Sequence, residues 1–233
     1  MPAPAEDRNC YEDDSQREVL LRLLEESIVD SHFFLTGGTA LSVFYLHHRR
    51  SNDLDFFCRR SLDLSEIAFA VKRIWPGNTT ILKESNHFVS CLIHQTKVDF
   101  VIDPLSIDEE RPIIDLGGNH RLRLDTVHGI ASNKLTAVVS RTEPKDYIDL
   151  YFLFQRICAD REEEIYSLAQ QKDAIFDDPP TVAFQIEEGI SFVKNNQRII
   201  PALLVDFDSE DFFRFYEKFI VRIYQRFRYV QPG

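Results

Sequence analysis

Cysteine is scarce and scattered. Cys10, Cys58, Cys91 and Cys158 show neither the close pairs of a metal knuckle nor a disulfide framework, so the sequence predicts free thiols in a reducing compartment. No apolar run approaches the ~18 residues that span a bilayer, and the polar, acidic start MPAPAEDRNCYEDD is unlike a signal peptide. The expectation is a cytoplasmic protein with no membrane partner. Basic charge is short as well: 27 Lys and Arg against 38 Asp and Glu leave a net charge of −11. That argues against broad attachment to nucleic acid or anionic membrane, but it leaves room for a local basic groove. The candidate stretches are Arg49-Arg50, Arg59-Arg60, His120 to Arg123, and Arg222, Arg226 and Arg228. Histidines 32, 47, 48, 87, 94, 120 and 128 follow no metal-ligand spacing. There is no internal repeat and no low-complexity linker.

What is present is core material, 44% apolar residues with 19 Phe, enough for one large domain or two small ones. Residues 1–14 read as a disordered tail. The stretch SQREVLLRLLEESIVD then places Val19, Leu20, Leu23, Leu24 and Ile28 at helical spacing, with Ser15 as cap and Glu18 completing a capping box. Residues 32–36 read as a buried strand, 39–48 as a helix, 54–58 as a strand and 64–75 as an amphipathic helix. Strands over 79–84, 87–94 and 97–102 have short connections and predict a meander. Residues 111–116 and 120–124 predict a hairpin across Gly117-Gly118. Helices follow over 126–141, 144–157, 161–175, 180–194 and 209–226. The expected fold class is α+β, with a mixed core over 15–124 and a helical domain over 125–233.

Two constellations carry chemistry. Gly37-Gly38-Thr39 falls between a strand and a helix, where glycines let backbone N–H groups approach a phosphate, or where a plain capped turn would suffice. Asp53 and Asp55 stand two apart in the apolar run LDFF, so they leave one face of a strand, and Asp99 repeats the pattern within KVDFVI. Carboxylates in such surroundings need a partner, and a hard divalent cation suits oxygen ligands of this kind. Three of them could hold two metal ions ~3.5–4 Å apart, the arrangement of phosphoryl or nucleotidyl transfer. In the second constellation, KLTAVVSRTEPKDYIDL, Lys134 and Arg141 share a helical face, and Asp146 and Asp149 follow on a helix begun by Pro144. A salt-bridged helical hairpin is one reading; a Lys134 reaching inward to meet an anion is the other.

The order strand, Gly-Gly-Thr, helix, Asp-x-Asp and later lone Asp resembles the nucleotidyltransferase superfamily that shares the DNA polymerase β palm. Gly38-Thr39 stands for its Gly-Ser pair, with a spacer of thirteen residues before Asp53, longer than usual. The phrases GGTAL, Arg50 to Asp55, and Lys-x6-Arg followed by Lys-Asp-x-x-Asp-Leu narrow the resemblance to the AbiEii/AbiGii toxin family, which includes the MenT enzymes. The resemblance implies a palm-like mixed sheet with flanking helices, and Mg²⁺ or Mn²⁺ at Asp53, Asp55 and Asp99. It implies Asp99 as activator of the incoming hydroxyl, nucleotide contacts from Gly37, Gly38, Thr39, Lys134, Arg141 and Asp146, and catalytic support from Lys134 and Asp149. It implies an NTP as substrate, the 3′ end of tRNA as acceptor, a toxin-like or defence role and a cognate antitoxin. A protein hydroxyl or a small molecule stays open as acceptor, with Lys83, Lys97, Arg121 and Arg123 a local track for RNA. A non-catalytic nucleotide- or partner-binding module is the alternative from another class.

Overall fold

A computed structural model describes residues 3–230, with the backbone alone at 227–230. Two compact units divide the chain, Met1–Ile130 and Ala131–Gly233.

The first unit opens with helices α1 (Asp14–Leu24) and α2 (Ser27–His32). The cap of α1 is Asp13, not Ser15, because the Asp13 carboxylate accepts the Gln16 N–H at 2.9 Å. The single helix expected through Asp30 divides at Glu26, whose backbone is extended. In place of a tail, residues 3–13 are tied to the unit: the N–H groups of Ala5 and Asp7 donate to Phe44 O and Val43 O at 3.0 and 2.8 Å. Cys10 is fully buried there, and Ser51 N–H donates to its carbonyl. Polar composition hid these contacts, which are made largely by backbone.

Strand β1 (Phe34–Thr36) leads into α3 (Gly37–Leu41), which continues as a wider π turn over Ser42–Leu46. Both glycines therefore lie in the first helical turn rather than before it. The turn ends where His47 adopts a left-handed φ of 53°. Next come β2 (Asp53–Cys58), α4 (Ser65–Ile74), β3 (Thr79–Ser85), β4 (Phe88–Ile93) and β5 (Thr96–Ile102), then β6 (Ile113–Asp115) and β7 (Arg121–Arg123), which pair as the expected hairpin.

The main sheet has five strands in the order β1-β2-β5-β4-β3. β3, β4 and β5 form the expected antiparallel meander, β1 is antiparallel to β2, and β2 runs parallel to β5. Alternation settles what each face shows. Leu54, Phe56, Val98 and Phe100 turn to the interior with no exposure above 1%, which leaves Asp53, Asp55, Lys97 and Asp99 on the opposite, half-buried face. Phe100 anchors the inner layer, stacked on Phe56 at 5.3 Å and edge-on to Phe33 at 5.3 Å.

Helix α5 (Val127–Ser140) runs through the division between the units, six residues beyond the boundary expected at 124. The second unit continues with α6 (Pro144–Arg156), α7 (Glu162–Gln170), α8 (Pro179–Asn195) and α9 (Ser209–Val230). Its core is aromatic: Tyr151 meets Phe212 and Phe215, and Phe215 stacks on Phe219 at 5.6 Å. Buried phenols are paired, Tyr147 Oη with Val138 O at 2.8 Å and Tyr216 Oη with Tyr147 O at 2.7 Å. Among the described residues, no helix is long and apolar enough to cross a membrane.

Phe100→Ala removes the ring on which the inner face of β2 and β5 rests. A loss of ~3–5 kcal/mol is expected, read as a lower urea midpoint at unchanged slope. A loss within about 1 kcal/mol would show that Phe56 and Phe33 close over the gap.

Candidate active site

Parallel pairing places Asp55 opposite Asp99 and Asp53 opposite Lys97, so the sheet gathers the three predicted carboxylates on one face. Asp99 is held from two sides: Ser90 Oγ donates to its Oδ1 at 2.6 Å and Lys97 Nζ to its Oδ2 at 2.6 Å. Burial works against the charge on Lys97. The hydrogen bond to Asp99 and the field of Asp99, Asp53 and Asp55 outweigh it and hold the ammonium above its ordinary pKa. The face thus already attracts a cation, and its oxygen-rich donor set fits a hard divalent ion. Asp53, Asp55 and Asp99 are the residues that the sequence nominates to hold one.

The glycine turn closes against this group. Gly37 has φ +70°, and a Cβ there would overlap Asp55 Oδ2, so only glycine combines the left-handed backbone with this approach. A Cβ on Gly38 would stand 2.8 Å from Arg49 Nη2 and 2.9 Å from Ser51 Oγ. Thr39 is fully buried, its hydroxyl donating to Asp53 O, and Gln16 Nε2 reaches Thr39 Oγ1 at 3.3 Å. Thr39 therefore braces the start of β2 by a side-chain bond.

The second constellation lies in the second unit, where α5 and α6 bring its four residues together. Lys134 Nζ donates to Asp146 Oδ1 and contacts Asp149 Oδ2, each at 2.7 Å, and Arg141 Nε donates to Asp146 Oδ2 at 2.8 Å. Both carboxylates are fully buried and the Lys134 side chain is 8% exposed. Both readings of the sequence meet here: the hairpin is salt-bridged, and Lys134 reaches inward. Burial opposes the charge on Asp146, but Lys134 and Arg141 prevail and hold its carboxyl below the usual carboxylate range.

A third group had no signal in the sequence. Asp7 and Cys10, three residues apart, and the distant His47 bring their ligand atoms within 4.8 Å of one another. Burial and the Asp7 charge push the Cys10 thiol up to about 11, so it is protonated at neutral pH.

A family model described as "Nucleotidyl transferase AbiEii toxin, Type IV TA system" matches residues 18–219. The chain belongs to the AbiEii nucleotidyltransferase toxin family. Among solved structures, a candidate nucleotidyltransferase from H. pylori aligns at 19% identity over 97% of this chain and all of its own, with a TM-score of 0.56. JHP933 from Helicobacter pylori aligns at 21% identity over 95% of this chain and 94% of its own, with a TM-score of 0.50. These likenesses show a shared fold. MenT4, a nucleotidyltransferase toxin from Mycobacterium tuberculosis H37Rv, aligns at 18% identity over 67% of this chain and 61% of its own, with a TM-score of 0.47. No protein of curated function matches the sequence.

As an AbiEii member the protein is a nucleotidyltransferase, an enzyme of nucleoside monophosphate transfer, from a family of toxin–antitoxin systems. Several neighbours of the carboxylates carry no signal in the sequence. Ser90 lies on another strand and belongs to no motif. Lys97, expected as part of an RNA track, is bound to Asp99 instead, and Arg49, expected in a basic patch, is 3% exposed beside Gly38. Arg222 and Arg226 pair with Glu162 and Glu163, and the Arg228 side chain lies outside the described residues.

Lys134→Met takes from Asp149 the ammonium 2.7 Å away and leaves Asp146 to Arg141. The expected cost is ~3–5 kcal/mol at neutral pH. The sign follows from Asp146: its lowered folded pKa gives stability that is present above the unfolded value near ~3.9 and lost as pH falls through the lower folded one. In the variant the buried carboxylates are under-compensated, so the deficit shrinks on acidification toward pH ~4. A deficit constant across a pH series of denaturation curves would contradict this account.

Gly37→Ala is expected to lose ~1–3 kcal/mol of stability, because alanine is strained at φ +70°, and at least about tenfold in transferase activity, because the added methyl displaces Asp55. Undiminished turnover would show that the approach of turn to carboxylate is incidental.

Proposed function

We propose that the protein moves a nucleoside monophosphate from an NTP to an acceptor hydroxyl, with Mg²⁺ or Mn²⁺ held by Asp53, Asp55 and Asp99. The observation that carries this reading is the register of β2 against β5, which sets Asp55 beside Asp99 with Asp53 on the same face. When bound, the divalent ion supplies charge that steadies the triphosphate and lowers the pKa of the attacking hydroxyl. The other roles belong to side chains and backbone of the chain itself.

In the proposed step the acceptor oxygen bonds to the α-phosphorus, the bond to the bridging oxygen breaks, and pyrophosphate leaves. Asp99, aimed by Ser90 and Lys97, takes the proton of the acceptor hydroxyl. Gly37 and Gly38 bring backbone close to the phosphates, and Thr39 keeps the turn and Asp53 in register. Within the second unit, Asp146 and Asp149 fix Lys134 and Arg141, the cations that the family pattern assigns to the nucleotide, through the buried ion network. The catalytic core is residues 15–124 and the helical domain 125–233. The acceptor is the 3′ end of tRNA, the setting is the cytoplasm, and an antitoxin restrains the enzyme.

The test incubates the protein with each labelled NTP, Mg²⁺ and total RNA or cell lysate, beside Asp53→Asn and Asp55→Asn. Label should pass to RNA, and each variant should fall by at least about a hundredfold while its Mn²⁺ binding, followed by calorimetry, is lost. Label on protein or a metabolite moves the acceptor; equal labelling by wild type and variants sinks the catalytic role of the carboxylates.

A further inference from the structure

The first unit holds a cleft of about 430 Å³ with Ser31, His32, Phe34, Cys58, Pro104 and four arginines, Arg59, Arg60, Arg111 and Arg123, along its wall. No Asp or Glu is among its lining residues. In a chain of net charge −11, this is a local reversal of sign.

Two features show that the cleft is built rather than an accidental patch of surface. Arg111 has only a tenth of its side chain exposed; its guanidinium lies 3.7 Å from the centre of the Phe34 ring, with Asp125 Oδ1 3.5 Å from Nε. That carboxylate is shared, because Thr36 Oγ1 and Thr126 N–H also donate to Asp125. Burial, with the nearby charge of Arg59 added, pulls the Arg111 guanidinium below its ordinary pKa despite Asp125. The second feature is fixed aim. Arg123 Nη1 donates to the carbonyls of Asp30, Ser31 and Phe33 at 3.3 to 3.5 Å, which anchors its fork on the end of α2. Arg59 pairs through Nη1 with Asp108, a solvent-exposed side chain. The Nε of Arg59 is buried and has no hydrogen-bond partner. Like charges crowded together favour an anion.

We propose that this cleft binds backbone phosphates of a polynucleotide, the acceptor of the transfer reaction. The proposal rests on the nucleotidyltransferase reading and deepens it. Guanidinium forks match phosphate oxygens two at a time, which suits four arginines better than four lysines would. The position speaks for a polymer. Arg59 and Arg60 follow the last residue of β2 and Asp53 is its first, and at ~3.3 Å per residue the two ends are roughly 16 Å apart. A ligand that reaches from the carboxylates to the arginines must be extended, as a strand of nucleotides is.

Fluorescence anisotropy of a labelled short RNA, without NTP and at several salt concentrations, tests this on the full chain. Wild type is compared with Arg59→Gln/Arg60→Gln, with Arg60→Glu at an exposed position, and with Asp53→Asn/Asp55→Asn. Expected are roughly tenfold weaker binding for both arginine variants and a salt slope lower by about one per phosphate contact removed. The aspartate variant should bind RNA undiminished while transferring nothing, which separates failure of the cleft from failure of the catalytic reading. RNA binding unchanged in both arginine variants overturns the proposal, as does an absence of RNA binding by wild type. Binding of inorganic phosphate or pyrophosphate, followed by calorimetry, with no RNA binding would assign the cleft to a free phosphate and overturn it too. Equal competition by poly-glutamate would show charge attraction without phosphate recognition and would likewise overturn it.

Discussion

Parallel pairing of β2 with β5 is the constraint on which the rest depends. Carboxylates set in register repel one another, by roughly 3 kcal/mol at ~5 Å with an effective dielectric constant near 20. The opposing term lies on the other face of the same strands. Leu54, Phe56, Cys58, Val98, Phe100 and Ile102 are all buried there, and at ~1.5–3 kcal/mol each they exceed the repulsion several times over. A slip of either strand by one residue would turn its three apolar side chains to the opposite face. Asp55 and Asp99 share a face because the apolar layer beneath excludes a one-residue slip.

The two units answer the problem of concentrated charge differently. On the sheet, the acids are partly exposed, with Ser90 and Lys97 placing Asp99. Between α5 and α6, Asp146 and Asp149 are fully buried and share the Lys134 ammonium, with Arg141 closing the group from the surface. Such a network is expensive to break at any one member and so holds its helices to a single arrangement.

Much of this is legible in the sequence because it is written locally. The Asp-x-Asp spacing fixes a shared face once the flanking residues make a strand, and Val98 and Phe100 assign Asp99 to the face opposite their own. Lys134, Arg141, Asp146 and Asp149 meet across one short turn, within reach of helical periodicity. What escapes depends on pairing between distant segments. Ser90 serves Asp99 only through the register of β4 on β5. Lys97 suggests a nucleic-acid track because its charge is visible along the chain and its tie to Asp99 is not. The four arginines of the cleft are scattered from Arg59 to Arg123, and only the turn after β2 and the β6–β7 hairpin bring them together. Near the amino end, composition misleads: backbone bonds to the π turn hold a segment whose side chains are polar.

Lys97 has one more consequence. Its ammonium is fastened to the backbone two residues from Asp99, so it neutralises the acids at an effective concentration fixed by the reach of one side chain rather than by the surrounding solution. Newly made protein can therefore close its sheet with part of this repulsion already balanced.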